Sequence, residues 1–135
     1  MSQDQNSLIT RWFEEVWNQN RHETIEELMP AECVIHDGDA NIRGPEEFKL
    51  FAAGLRAQFD EIRVEMHQAI SEGDLTCLRW SSSMIHKDTG KPLHTTGMSL
   101  IRFRDGRFAE AWQNWDLHGV MEQIATPTSA AASAT

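Results

Sequence analysis

Tyrosine is absent from the 135-residue chain, so no mechanism here can rest on a phenol as acid, base or oxyanion donor. Cysteine occurs only twice, as Cys33 and Cys77, with no C-x-x-C. Each stands alone in an apolar, strand-like setting, and both read as buried free thiols in preference to a disulfide or a metal framework. No apolar run approaches the roughly 18 residues of a membrane span, and the opening MSQDQNSLIT lacks a basic-then-apolar secretory pattern. Positive charge is scarce: 12 Lys and Arg stand against 21 Asp and Glu, a formal net charge of −9. Such a field repels phosphate backbones and anionic lipids. The expectation is a cytoplasmic protein with neither nucleic acid nor membrane as partner.

Familiar site motifs are missing as well. There is no glycine-rich phosphate loop, no nucleophile elbow and no H-E-x-x-H. The six histidines, at 22, 36, 67, 86, 94 and 118, fall in no spacing that specifies a metal. Neither a metal nor a cofactor is expected.

What is present suits one globular domain, with 40% apolar and 24% charged residues. Residues 1–125 are read as that domain and 126–135, a low-complexity stretch, as a disordered tail. Leu8, Ile9, Trp12, Phe13, Val16 and Trp17 recur at helical spacing, and a short second helix runs from His22 until Pro30 stops it. Gly44-Pro45 opens a third helix whose stripe is Phe48, Phe51, Ala52 and Leu55. Cys33 to Gly38 is a short strand running into a polar turn. After Asp60 the period changes to two. Four longer strands follow, separated by turn signals at Glu72-Gly73-Asp74, Asp88 to Pro92 and Arg104 to Arg107, and a helical turn closes the pattern from Leu117. Three helices followed by an antiparallel meander is an α+β order.

Chemistry concentrates near the end of the chain. Glu110, Trp112, Asn114 and Asp116 share one strand face. An aromatic wall ending in a carboxylate suits a pocket, and partial desolvation would lift the Asp116 pKa toward neutrality. Asp116 equally reads as an N-cap for the following helical turn. Trp80, Ser82, Met84 and His86 share a face of the long strand before it, where Trp80 and Met84 are core or pocket wall. His86 is a ligand donor, a proton carrier or a solvated rim residue. His94 would lie near His86 across the Thr89-Gly90 turn, and His36-Asp37 forms a polar pair at the end of the first strand.

Several segments together resemble the SnoaL-like polyketide cyclases of the NTF2-like superfamily: WFEEVWNQ, CVIHDG, RGPEEF, the strands around LRW and IHK, and above all IRFRDGRFAEAWQNWDLHGVMEQI. The resemblance spans Asn6 to about Ile124. It implies a cone-shaped α+β barrel, with three N-terminal helices packed on a strongly curved, mainly antiparallel sheet around an apolar pocket. It also implies a homodimer through the outer sheet face, here expected to carry Cys77, Ser81, Ser83, Ile85 and Ile101. Asp116 matches the family's acid/base aspartate and His86 its histidine, although Met84-Ile85 stand where Gly-Thr is usual. Trp80, Met84, Trp112, Asn114, His36 and His94 would complete the substrate site. The implied activity is a cofactor-independent lyase or isomerase moving a proton alpha to the carbonyl of a flat, hydrophobic compound. A non-catalytic binding domain is the alternative, favoured if Asp116 sits in solvent as a helix cap. Ketosteroid isomerase belongs to the same superfamily, and Asp37 lies roughly where that enzyme carries its base, but its oxyanion hole uses a tyrosine that this chain lacks.

Overall fold

Helix α1 (Ser2–Arg11) does not end where its apolar stripe deepens; it widens into a π-type segment over Trp12–Asn18. A π turn repeats nearer every five residues, which lets Trp12 and Trp17 face the same way. The computed structural model describes residues 2–126, with side chains from Gln5 onward. The expected tail therefore lies, apart from Thr126, outside the described residues.

After α2 (His22–Leu28) come β1 (Val34–Asp37), β2 (Ala40–Arg43) and α3 (Gly44–Gln58). Strands β3 (Phe59–Glu72), β4 (Leu75–His86), β5 (Pro92–Arg104) and β6 (Arg107–Trp115) follow, and α4 (Leu117–Ala125) closes the chain. The six strands lie in the order β2-β1-β6-β5-β4-β3, antiparallel except where β1 runs parallel to β6. Bulges in β3 near Glu61 and His67 help bend the sheet. It is a curved sheet that does not close, since β2 and β3 remain its edges; the barrel expected from sequence is an open one. The β2 strand was not legible as such: Ala40 to Arg43 is too short and polar to alternate visibly.

The helices fill the concave side. Trp12 and Val16 are buried there with Phe48 and Ala52, and Phe13 and Phe51 pack against them. Arg56 fastens α3 to the π segment by donating from Nη2 to the Val16 and Trp17 carbonyl oxygens at 3.0 and 2.8 Å. Asn18 covers part of the β3 edge: its Oδ1 accepts from Val64 N–H at 2.8 Å and its Nδ2 donates to Val64 C=O at 3.2 Å. Gly44, at φ +75°, turns the chain into α3 so close to Ala31 that a Cβ would stand 2.9 Å from its carbonyl oxygen. Glycine is needed at that position.

Candidate functional site

Between the concave face and the helices lies a cavity of about 110 Å³. The π segment and α3 contribute Trp12, Phe13, Trp17, Phe48, Phe51 and Leu55, and the sheet contributes Ile35, Trp80, Met84, Ile101, Phe108 and Trp115. Polar atoms are few: Ser82, Thr95, Ser99 and Gln113. Ser99 is engaged, since Trp80 Nε1–H donates to its Oγ at 3.0 Å.

One carboxyl group is fastened to this wall. Asp37 pairs with Gln113 across the β1–β6 ladder, and its Oδ1 accepts from Trp115 Nε1–H at 3.1 Å. Burial pushes the Asp37 carboxyl above the usual aspartate value, and hydrogen bonds from Gln113 and Trp115 only partly offset that. Among the described residues it is the carboxyl bonded to side chains that line the cavity. Cys33 also faces the cavity, with its thiol pushed up to about 12 mainly by burial, so it is a poor nucleophile. Among the described residues no cluster of His, Cys, Asp and Glu is placed to hold a metal ion, and no helix is long and apolar enough to cross a membrane.

The sequence-derived site divides. Trp80 and Met84 line the cavity. Trp112, Asn114 and Asp116 do share a strand face, but it is the outer one. Phe108 points inward, and simple alternation from it carries 110, 112, 114 and 116 inward too. A bulge intervenes: Phe103 pairs with Phe108 while Arg102 pairs with Glu110, so Ala109 is an extra residue in β6. One inserted residue exchanges the faces. Ala111, Gln113 and Trp115 line the cavity instead. Asp116 is solvent-exposed and caps α4, its Oδ1 accepting from Gly119 N–H at 2.9 Å. That is the helix-cap arrangement that the sequence equally allowed.

None of the three histidines lines the cavity, although His86 packs against Phe59 of its wall with ring centroids 5.8 Å apart. His86 reaches Thr89 Oγ1 at 2.9 Å within the β4–β5 turn, and His94 is exposed, its backbone held on both sides by Gln123. His36 stacks on Trp112 on the outer face, with ring centroids 5.5 Å apart. Its Nε2 lies 2.7 Å from Glu110 Oε2 and its Nδ1 2.8 Å from Asn41 Oδ1, so a doubly protonated ring donates to both. These bonds, Glu110 first, raise the His36 pKa above its ordinary 6.5. The pair therefore stabilises the fold fully below that ordinary value and stops doing so as pH rises through the raised one. Replacing Glu110 by Gln should cost about 0.5 kcal/mol more at pH 6 than at pH 9, where the contact with Arg102 at 3.8 Å is the charged pairing left to Glu110, read from urea midpoints. An equal cost at both pH values would contradict the pairing.

Ile101, expected on the outer face, is buried in the core. The outer face instead carries an apolar row running straight across four strands, because Ile70 pairs with Cys77, Cys77 with Leu100 and Leu100 with Trp112. Ile70 is 71% and Leu100 36% exposed, with Met98 beside them at 53%.

A family model described as SnoaL-like polyketide cyclase matches residues 7–124. The chain belongs to that family. Solved structures agree on the fold. A SnoaL-like polyketide cyclase candidate from a Jannaschia species shares 20% identity over 93% of this chain and 94% of its own, with a TM-score of 0.84. IdmH, a polyketide cyclase candidate from Streptomyces antibioticus, shares 25% identity over 90% and 98%, with a TM-score of 0.80. A protein of ketosteroid isomerase-like fold from Catenulispora acidiphila, solved with trimethylamine, shares 19% over 90% and 95%, at 0.79. Among curated proteins nothing matches. Family membership supports a cyclase-type role.

Proposed function

We propose that this family member moves a proton alpha to the carbonyl of a small hydrophobic compound held in the concave cavity, with Asp37 as the acid/base. The observation that carries the reading is the Asp37 carboxyl: desolvated, raised in pKa and bonded to two cavity-wall side chains. In its ionised form it takes the α-proton, the C–H electron pair moves into the carbonyl as an enolate, and the carboxylic acid returns the proton to a second carbon or to the same one. The Gln113 amide and the Ser82 and Ser99 hydroxyls are groups on the wall that can donate to the developing oxygen. No cofactor enters this step.

The test needs no natural substrate. Wild-type protein should accelerate deuterium incorporation at the α-carbon of cyclohexanone in D₂O, followed by NMR, and Asp37→Asn should not. Binding of the ketone without any exchange would favour the non-catalytic reading, a cavity that only holds its ligand. The solvent-exposed position of Asp116 is the observation on that side.

The same proposal includes assembly. The row Ile70, Cys77, Leu100 and Trp112 is a surface that a second copy, related by a two-fold axis, would cover. Sedimentation equilibrium at micromolar concentration should give twice the 15.4 kDa chain mass, and Leu100→Glu should return the single-chain value. A wild-type protein that sediments only as single chains would rule the dimer out. Two free thiols, one in the cavity and one on this face, suit a reducing, cytoplasmic compartment.

A further inference from the structure

The floor of the cavity is set by one contact between two strands. Trp80 of β4 pairs with Gly97 of β5, and the indole occupies the space beside the glycine where a side chain would stand. A Cβ built on Gly97 would come within 2.2 Å of Trp80 Cζ2 and 2.6 Å of Cε2. The ring is also pinned at its polar edge by the bond from Nε1–H to Ser99 Oγ. Gly97 is not in a left-handed conformation, so backbone geometry does not demand glycine there. The indole does. Any side chain at 97 would lift Trp80 into the space a ligand needs.

That space is small. Its volume of about 110 Å³ is of the same order as the ~150 Å³ apolar cavity that takes one benzene ring, and far below the roughly 300–1,000 Å³ of pockets that enclose drug-sized ligands. We infer that Trp80, seated on Gly97, is the specificity-determining residue of the cavity and restricts it to compounds with a single ring, excluding fused polycyclic ketones. The inference rests on the reading of this cavity as the substrate site, and it narrows the substrate class from flat hydrophobic carbonyl compounds in general to one-ring ketones.

Isothermal titration of the full chain with cyclohexanone, 1-tetralone and anthrone tests it. The wild type should bind cyclohexanone and take anthrone at least tenfold more weakly. Trp80→Phe, whose smaller ring deepens the floor, should improve anthrone relative to cyclohexanone by tenfold or more. Gly97→Ala should weaken cyclohexanone about tenfold, and adding Trp80→Phe to it should restore binding, because the smaller ring leaves room for the new methyl group. Circular dichroism checks that each variant folds; if Gly97→Ala does not, the ketone ratio in Trp80→Phe decides alone. Equal wild-type affinity for anthrone and cyclohexanone, or a ratio unmoved by Trp80→Phe, overturns the size restriction while leaving the cavity as a ligand site. Absence of binding by all three ketones overturns the site itself and the size restriction with it.

Discussion

Asp37→Asn should lower the rate of α-proton exchange by about 10²- to 10⁴-fold, the usual contribution of a positioned base, while ketone affinity stays within a few fold. The substitution keeps the size of the side chain and an oxygen for Trp115 Nε1–H to reach, and it removes only the proton acceptor. Wild-type exchange should rise with pH through the Asp37 pKa, which lies above the ordinary 3.8, because the ionised carboxylate is the base. Stability should move the other way. A carboxyl that holds its proton more tightly in the folded than in the unfolded chain stabilises the fold fully below the ordinary value, and that contribution is lost as pH rises through the raised one. At pH 7 wild-type Asp37 is therefore a cost to the fold, and Asp37→Asn should melt at or above the wild-type temperature. The difference should close below about pH 4, near the ordinary aspartate value. Loss of activity with gain of stability is the signature of a group kept for chemistry. A variant that exchanges protons at the wild-type rate would remove Asp37 from the reaction. One that melts well below wild type at pH 7 would mean that its carboxyl is structural.

The fold was largely legible in the sequence, and the candidate site much less so, for one physical reason. Helical stripes such as Phe48, Phe51, Ala52 and Leu55 name their own buried face, because apolar residues cluster on it. In the strands, period two says which residues travel together but not which side they take. Trp80 and Met84 could be placed because their face of β4 carries the bulkier apolar side chains, and both line the cavity. In β6 the face with Trp112, Asn114 and Asp116 reads as the pocket wall because it joins an aromatic ring to a carboxylate, and the bulge at Ala109 turns Ala111, Gln113 and Trp115 inward instead. No residue type signals that bulge: Ala109 is neither glycine nor asparagine. The first strand held a clearer signal. Cys33 and Ile35 are the apolar partners of Asp37 by alternation, and both face the cavity, so parity alone directs Asp37 inward more firmly than it does Asp116. The size of the cavity was not legible at all, since it depends on an indole beside a glycine seventeen residues away in sequence and directly opposite in the sheet.

The largest loss of stability should come from Trp12→Ala. Trp12 is only 6% exposed, and it joins three parts of the molecule: its ring centroid is 4.9 Å from that of Phe48 on α3 and 5.0 Å from that of Phe108 on β6, the latter edge-on. Removing a buried tryptophan side chain costs roughly 3–5 kcal/mol, from lost transfer energy and the space left behind, and edge-on aromatic pairs add about 0.5–1.5 kcal/mol each. Part of the ring faces the cavity rather than packed neighbours, which brings the total down toward the lower end, near 3 kcal/mol. Against a total stability of about 5–15 kcal/mol for a domain, that is a large fraction, and the melting temperature should fall by about 10 °C or more. Leu50→Ala, on the same scaffold but 74% exposed, should change stability by less than about 0.5 kcal/mol. Trp12→Phe should fall between the two, since it keeps an aromatic contact in place. Urea unfolding of the three variants with an unchanged m-value checks the order. A Trp12→Ala loss below about 1 kcal/mol would mean that the helices are held on the sheet by the remaining aromatic cluster of Trp17, Phe48 and Phe51, and that Trp12 serves mainly as cavity wall.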